Sequence, residues 1–254
     1  MTLVNFQQQG TGQPIILIHG LFGSLENLNM VAKDLAKYYW VISVDVRNHG
    51  SSFHENEMSY PTLAQDIIDL LDHLEIKQTA VLGHSMGGKI AMQLALDFPE
   101  RISKLIVADI APVNYPPHHL PIIEGLKSID LNQVKKRSDA DKQLAHAVPE
   151  TSVRQFLLRN LALENGQFTF KCNLDFISHC YSQLMAGYTG SAQFVKPTLF
   201  IKGGNSDYIQ LAHKEIIEKI LPRSKIKIIQ GAGHWLHAEK TVAFNKIVLD
   251  FLKA

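Results

Sequence analysis

The chain has 254 residues, 46% of them hydrophobic, with 16 Gly and 10 Pro, which suits one large α/β unit with a real core. Its 25 Lys and Arg stand against 24 Asp and Glu, and a net charge of +1 creates no global field for nucleic acid or an anionic membrane. No apolar run approaches a membrane span, and Met1-Thr2-Leu3-Val4-Asn5-Phe6 lacks the pattern of a signal peptide, so a cytoplasmic protein is expected.

Short apolar runs alternate with helical patterns, which predicts a mostly parallel sheet covered by crossover helices. Pro14 to Ile18 reads as a buried strand and Asn27 to Tyr39 as a helix, with Leu28, Val31, Leu35 and Ala36 on one face. Trp40 to Val44 is the next strand, ending at Asp45. Thr62 to Leu74 is strongly amphipathic, with Thr62 as candidate N-cap and Gln65 three residues on. The strand Thr79 to Leu82 then runs through Gly83-His84-Ser85-Met86-Gly87 into a helix from Lys89 to Leu96. Lys104 to Ala108 is a further strand, ending at Asp109.

Between residues 113 and 195 the alternation stops. The stretch opens on turn-rich Asn114-Tyr115-Pro116-Pro117-His118-His119 and then reads as helices: Leu120 to Ile129, Ser138 to Val148, Ser152 to Leu163 and Leu174 to Ala186. Ser138-Asp139-Ala140-Asp141 resembles a capping box. Strands resume at Pro197 to Ile201 and Lys225 to Ile229, and Val242 to Leu252 closes the chain as a helix. The expected organisation is a core of 1–112 and 196–254 carrying a helical cap, 113–195, over the strand ends. Cys172 and Cys180 lack metal-site spacing and read as buried free thiols.

A serine between two glycines at a strand-to-helix junction has the form of a nucleophile elbow, in which a sharp turn lifts the hydroxyl clear of the sheet. Serine is a weak nucleophile and needs a positioned base. Of the 12 histidines, His234 stands out because Gly231-Ala232-Gly233-His234-Trp235 follows a strand and precedes the last helix. Strand carboxyl ends line the ligand crevice of an open α/β sheet, so Ser85 and His234 can converge there. The loop His19-Gly20-Leu21-Phe22-Gly23-Ser24 lies at the same edge. It offers the Leu21 amide, or the neighbouring Phe22 amide, as one oxyanion donor, with the Met86 amide as the other. The polar loop Asp45 to Ser52 is expected to brace that oxyanion loop. Two carboxylates compete to orient the base: Asp109 after one strand and Asp207, in Gly204-Asn205-Ser206-Asp207, after another. Phe22, Ser206 and Trp235, beside these groups, are the candidate substrate contacts.

His-Gly-x-x-Gly, Asp-x-Arg-x-x-Gly-x-Ser, Gly-x-Ser-x-Gly and Gly-x-Gly-His occur here in the order found in the α/β-hydrolase superfamily, which the chain resembles outside the cap. More narrowly it is similar to the small bacterial YbfF-type esterases, through residues 19–24, 83–89, 203–206 and 231–235. The resemblance implies the α/β-hydrolase fold and a serine ester hydrolase of small to medium acyl esters, without metal or cofactor. It also implies an acid at the Asp109 position with Ser206 assisting the histidine, so Asp109 is favoured over Asp207. Ser85 in place of an aspartate argues against the dehalogenase and epoxide-hydrolase branches. Lys127, Lys135, Lys136, Arg137, Arg154 and Arg159 make the cap locally basic, which would suit an acyl-coenzyme A thioester. C–C bond hydrolysis, perhydrolysis and a non-catalytic receptor on the same fold are the alternative readings.

Overall fold

The computed structural model describes residues 2–254. Its main sheet has seven strands: β1 Phe6–Gln9, β2 Pro14–Ile18, β3 Trp40–Val44, β4 Thr79–His84, β5 Ile102–Ala108, β8 Thr198–Gly203 and β9 Ser224–Ile229, in the spatial order β1-β3-β2-β4-β5-β8-β9. A separate hairpin pairs β6 Leu161–Glu164 with β7 Gln167–Phe170. All neighbours in the main sheet are parallel except β1, which runs antiparallel to β3. Side chains of the central strands alternate between two buried clusters. Ile16, Ile18, Val81, Leu105, Val107 and Phe200 pack on one face, and Ile15, Leu17, Leu82, Ile106, Leu199 and Ile201 on the other. Burial on both faces is the reason these strands are aliphatic without interruption. Helices α2 Tyr60–His73 and α3 Met86–Asp97 cover the first face, and α1 Asn29–Leu35 and α11 Thr241–Lys253 cover the second.

Local chemistry moves several boundaries from their expected places. The helix expected at Asn27 to Tyr39 is a 3-10 turn, Leu25–Leu28, followed by the short α1, because the chain must turn at Tyr38 and Tyr39 to enter β3. Helix α2 begins before Thr62: Ser59 is its N-cap and accepts from the Thr62 amide at 3.4 Å, and Pro61 sits in the first turn, where its missing N–H costs nothing.

Between β5 and β8 run α4 Leu120–Lys127, α5 Arg137–Leu144, α6 Thr151–Leu157, the β6–β7 hairpin, α7 Leu174–His179 and α8 Tyr181–Met185. The helix expected from Ser152 to Leu163 ends early, and its last residues enter the hairpin. Asn165 and Gly166 both have positive φ, 49° and 82°, the backbone of a tight two-residue turn. Helix α5 starts at Arg137 rather than Ser138, and it is Asp139 that reaches back to the Lys136 amide at 3.1 Å. Two short helices, α9 Lys214–Ile220 and α10 Leu236–Glu239, complete the chain, and Cys172 and Cys180 are buried free thiols. No helix among the described residues is long and apolar enough to cross a membrane.

The buried pair Arg47–Asp66 fastens the loop after β3 to α2 through two bonds of 2.6 Å, while Arg47 also donates to the Glu57 carbonyl at 3.1 Å. Arg47→Met should therefore lower the unfolding free energy by about 3–5 kcal/mol, because Asp66 would stay buried without its partner. Lys246→Ala, which breaks an exposed pair on α11, should cost no more than about 0.5 kcal/mol. Urea melts of both variants check the ranking; equal losses would refute it.

Candidate active site

Ser85 sits between β4 and α3 with φ 53° and ψ −120°, a sparsely populated conformation that costs on the order of 1–3 kcal/mol. The turn is possible only because its neighbours lack side chains. A Cβ on Gly83 would strike the Gly87 carbonyl, and one on Gly87 would strike the carbonyls of Ile18 and His19. Those contacts also show how tightly the elbow packs on the loop after β2.

His234 lies in the turn between β9 and α10. Its Nε2 is 3.0 Å from Ser85 Oγ and its Nδ1 is 2.7 Å from Asp109 Oδ2. Asp109 is fully buried just past β5, and its other oxygen accepts from the Gly203 amide at 2.9 Å. The Ser206 hydroxyl also donates to Oδ2. Three donors thus satisfy a carboxylate that would otherwise be costly to bury. The Nδ1–H facing this carboxylate leaves Nε2 as the acceptor toward Ser85. Asp207, by contrast, is exposed, and its side chain is not bonded to His234. Ser206, expected at the substrate, is instead buried behind Asp109 and does not line the cavity.

The Leu21 and Met86 amides donate to no backbone or side-chain acceptor among the described residues, as befits a loop turn and the first residue of a helix. The Phe22 amide is already engaged, donating to His49 Nε2 at 3.1 Å. Phe22 has φ 58°, and its carbonyl accepts from Asn160 Nδ2 at 2.6 Å, which ties the loop to the segment between β5 and β8. His49 Nδ1–H donates to the Arg47 carbonyl at 3.0 Å, and burial drives the imidazole down to about 3. His19 accepts from the Val46 amide at 3.0 Å, and Asp45 accepts from Leu25 and Ser51 amides at 2.7 and 2.9 Å. The loop from Asp45 to Ser52 thus holds the loop from His19 to Leu25.

Over Ser85 lies a cavity of about 420 Å³ with mainly apolar walls, which include Phe22, Ile122, Val153, Phe156, Leu157 and Trp235. Phe22 and Trp235, two of the candidate substrate contacts, both line it. No Lys or Arg lines it. Of the cationic residues between β5 and β8, Lys127 pairs with Asp175 at 2.6 Å, Arg154 with Asp141 at 2.8 Å, and Arg137 donates to the Leu161 carbonyl at 2.6 Å. Sequence reasoning missed Tyr208, whose ring stacks on His234 at 3.9 Å, and the pair His118 and His119 beside it. His118 Nε2 lies 2.8 Å from the Tyr208 hydroxyl. No local motif marks these three residues, because they meet only through the packing of two distant loops.

The family described as alpha/beta hydrolase fold matches residues 13–241. The chain belongs to that family. It is 39% identical over 246 residues to mouse "sn-1-specific diacylglycerol lipase ABHD11", an alignment covering 94% of this chain and 80% of that protein. It is 37% identical over 247 residues to "Esterase YbfF" of Escherichia coli (strain K12), covering 97% and 95%. A solved structure titled "Marine microorganism esterase" superposes with a TM-score of 0.95 at 38% identity, covering 99% of this chain and 100% of that one.

The buried histidines make a prediction about stability. His49 and His119 are lowered to about 3 and His237 to about 4, in each case chiefly by burial. Their unfolded counterparts titrate at about 6.5, so below that pH the unfolded chain binds protons that the folded one refuses. Stability should be fully present above about pH 6.5 and fall as the pH drops toward 4. Urea midpoints measured at several pH values check this; a midpoint that rises on acidification would contradict it.

Proposed function

We propose that this chain is a serine hydrolase of small to medium carboxylic esters, and that Ser85, His234 and Asp109 form its triad. The observation that carries the reading is the unbroken relay of 3.0 and 2.7 Å from Ser85 Oγ through His234 to Asp109. Relatives named esterase and lipase over nearly the whole chain support it.

In this mechanism His234 Nε2 takes the Ser85 proton as Oγ attacks the acyl carbonyl, and the Leu21 and Met86 amides hold the oxyanion. The imidazolium then protonates the leaving alcohol, and the same histidine activates the water that releases the acid. Asp109 stabilises the imidazolium and keeps its tautomer. Tyr208, stacked on the ring, limits its rotation. Residues 113–195 act as a cap: they supply His118, His119, Ile122, Val153 and Phe156 to the cavity wall, and they favour soluble monomeric esters over an oil surface. A neutral ester fits the cavity better than an acyl-coenzyme A, since no Lys or Arg lines it to meet a phosphate.

Ser85→Ala should abolish hydrolysis of p-nitrophenyl acetate and labelling by a fluorophosphonate probe while circular dichroism stays unchanged. Wild-type chain that resists the probe and turns over no ester would rule out the reading. Asp109→Asn should lower kcat by on the order of 10⁴-fold through the wrong imidazole tautomer, and Asp207→Asn should leave it within about twofold. The reverse ranking, measured by steady-state kinetics, would move the acid to Asp207.

A further inference from the structure

Ser85 stands at a neck between two spaces of very different size. The cavity of about 420 Å³ lies on one side, and on the other is a compartment of about 20 Å³. Leu21, Ser85, His118, His119 and Tyr208 border both. His234 borders only the larger. This asymmetry has a stereochemical consequence that rests on the ester-hydrolase reading above.

When a tetrahedral intermediate collapses, the bond from carbon to the leaving oxygen breaks and the His234 Nε2 proton passes to that oxygen. The leaving oxygen must therefore face His234, which puts the alcohol on the side of the large cavity. The oxyanion turns to the Leu21 and Met86 amides, and Ser85 Oγ occupies a third position. The acyl substituent takes the direction that remains, along the wall formed by Leu21 and Met86 themselves, which also bounds the small compartment. Water that later attacks the acyl-enzyme gives its proton to the same imidazole, so it enters through the space the alcohol has left.

We propose that the small compartment is the acyl site, that it is built for an acetyl-sized group, and that the large apolar cavity receives the alcohol. A space of about 20 Å³ holds little more than one water-sized or methyl-sized group. Its walls are also firm. Ile110, Leu184 and Met86 are 3%, 1% and 5% exposed, and the Tyr60 hydroxyl donates to the Leu184 carbonyl at 2.7 Å. The Lys89 side chain also borders the compartment, and its ammonium donates to the carbonyls of Val113, Met185 and Ala186 at 2.9, 3.2 and 2.6 Å. Three carbonyls thus meet its three protons, and the stretches at Val113 and at the end of α8 are clamped to α3. A longer acyl chain would have to displace packed side chains, which close-packed interiors resist.

The test is a pair of isomers, octyl acetate and methyl nonanoate, equal in composition and opposite in the placing of the chain. Octyl acetate should have a kcat/KM at least about tenfold higher, since one methylene too many in a close-fitting pocket is worth about 10- to 200-fold. Equal rates, or faster turnover of methyl nonanoate, would overturn the assignment and leave the hydrolase reading standing. Failure to turn over either isomer or p-nitrophenyl acetate would instead overturn the hydrolase reading, and this inference with it. Two variants test the compartments separately. Met185→Ala, which enlarges the small one, should raise the ratio of p-nitrophenyl hexanoate to acetate turnover about tenfold or more. Val153→Trp, which fills the large one, should depress octyl acetate more than methyl acetate; selective loss of methyl nonanoate turnover would invert the assignment.

Discussion

The buried carboxylate of Asp109 is the constraint on which the arrangement turns. A charge with no exposure to water needs donors, and the structure draws them from separate parts of the chain: the Gly203 amide at the end of β8, the Ser206 hydroxyl beyond it, and His234 in the turn after β9. Satisfying one charge therefore registers three strand ends against each other. The Asp109 backbone follows suit, with φ 53° and an amide that donates to the Ile201 carbonyl at 2.8 Å. A second strained residue, Ser85, faces it across His234. Both strains are held by the packing of parallel strands around them.

The opposite wall of the site depends on imidazoles kept neutral. His19 and His49 each accept a backbone N–H through Nε2, which only an uncharged ring can do. The engagement of the Phe22 amide by His49 removes it as an oxyanion donor on the reading proposed, whereas the Leu21 amide has no acceptor among the described residues. Acidification thus loosens the core and the loop from His19 to Ser24 together, since the same rings serve both.

Specificity, on the reading proposed, comes from how the segment between β5 and β8 is seated. Lys89, one turn into the helix that begins at the elbow, ties that segment to α3 at Val113 and again at Ala186. Burial draws its ammonium down to about 7, which three carbonyl acceptors and the Tyr115 ring at 4.8 Å make tolerable in the charged form. Ser85 and the small compartment beside it are therefore tied to one short stretch of α3.

Local sequence already determined a good deal. Short aliphatic runs bounded by turn residues, such as Ile15 to Ile18, marked strands buried on both faces, and the glycines around Ser85 marked a turn that a Cβ would forbid. His234 was legible for the same reason, as a histidine in a glycine turn after a strand. Even the missed hairpin had a signal, Asn165-Gly166 between two apolar runs, which the helical look of the preceding residues obscured. What the sequence left open was which carboxylate meets His234: Asp109 and Asp207 both follow strands, and only the assembled sheet buries one and leaves the other in water. Tyr208, His118 and His119 were invisible for a related reason, since their meeting depends on how two loops, 89 and 90 residues apart in sequence, pack over one strand edge. Propensity and periodicity act over a few residues, whereas the place of a side chain relative to a distant one is decided by the register and packing of the whole sheet.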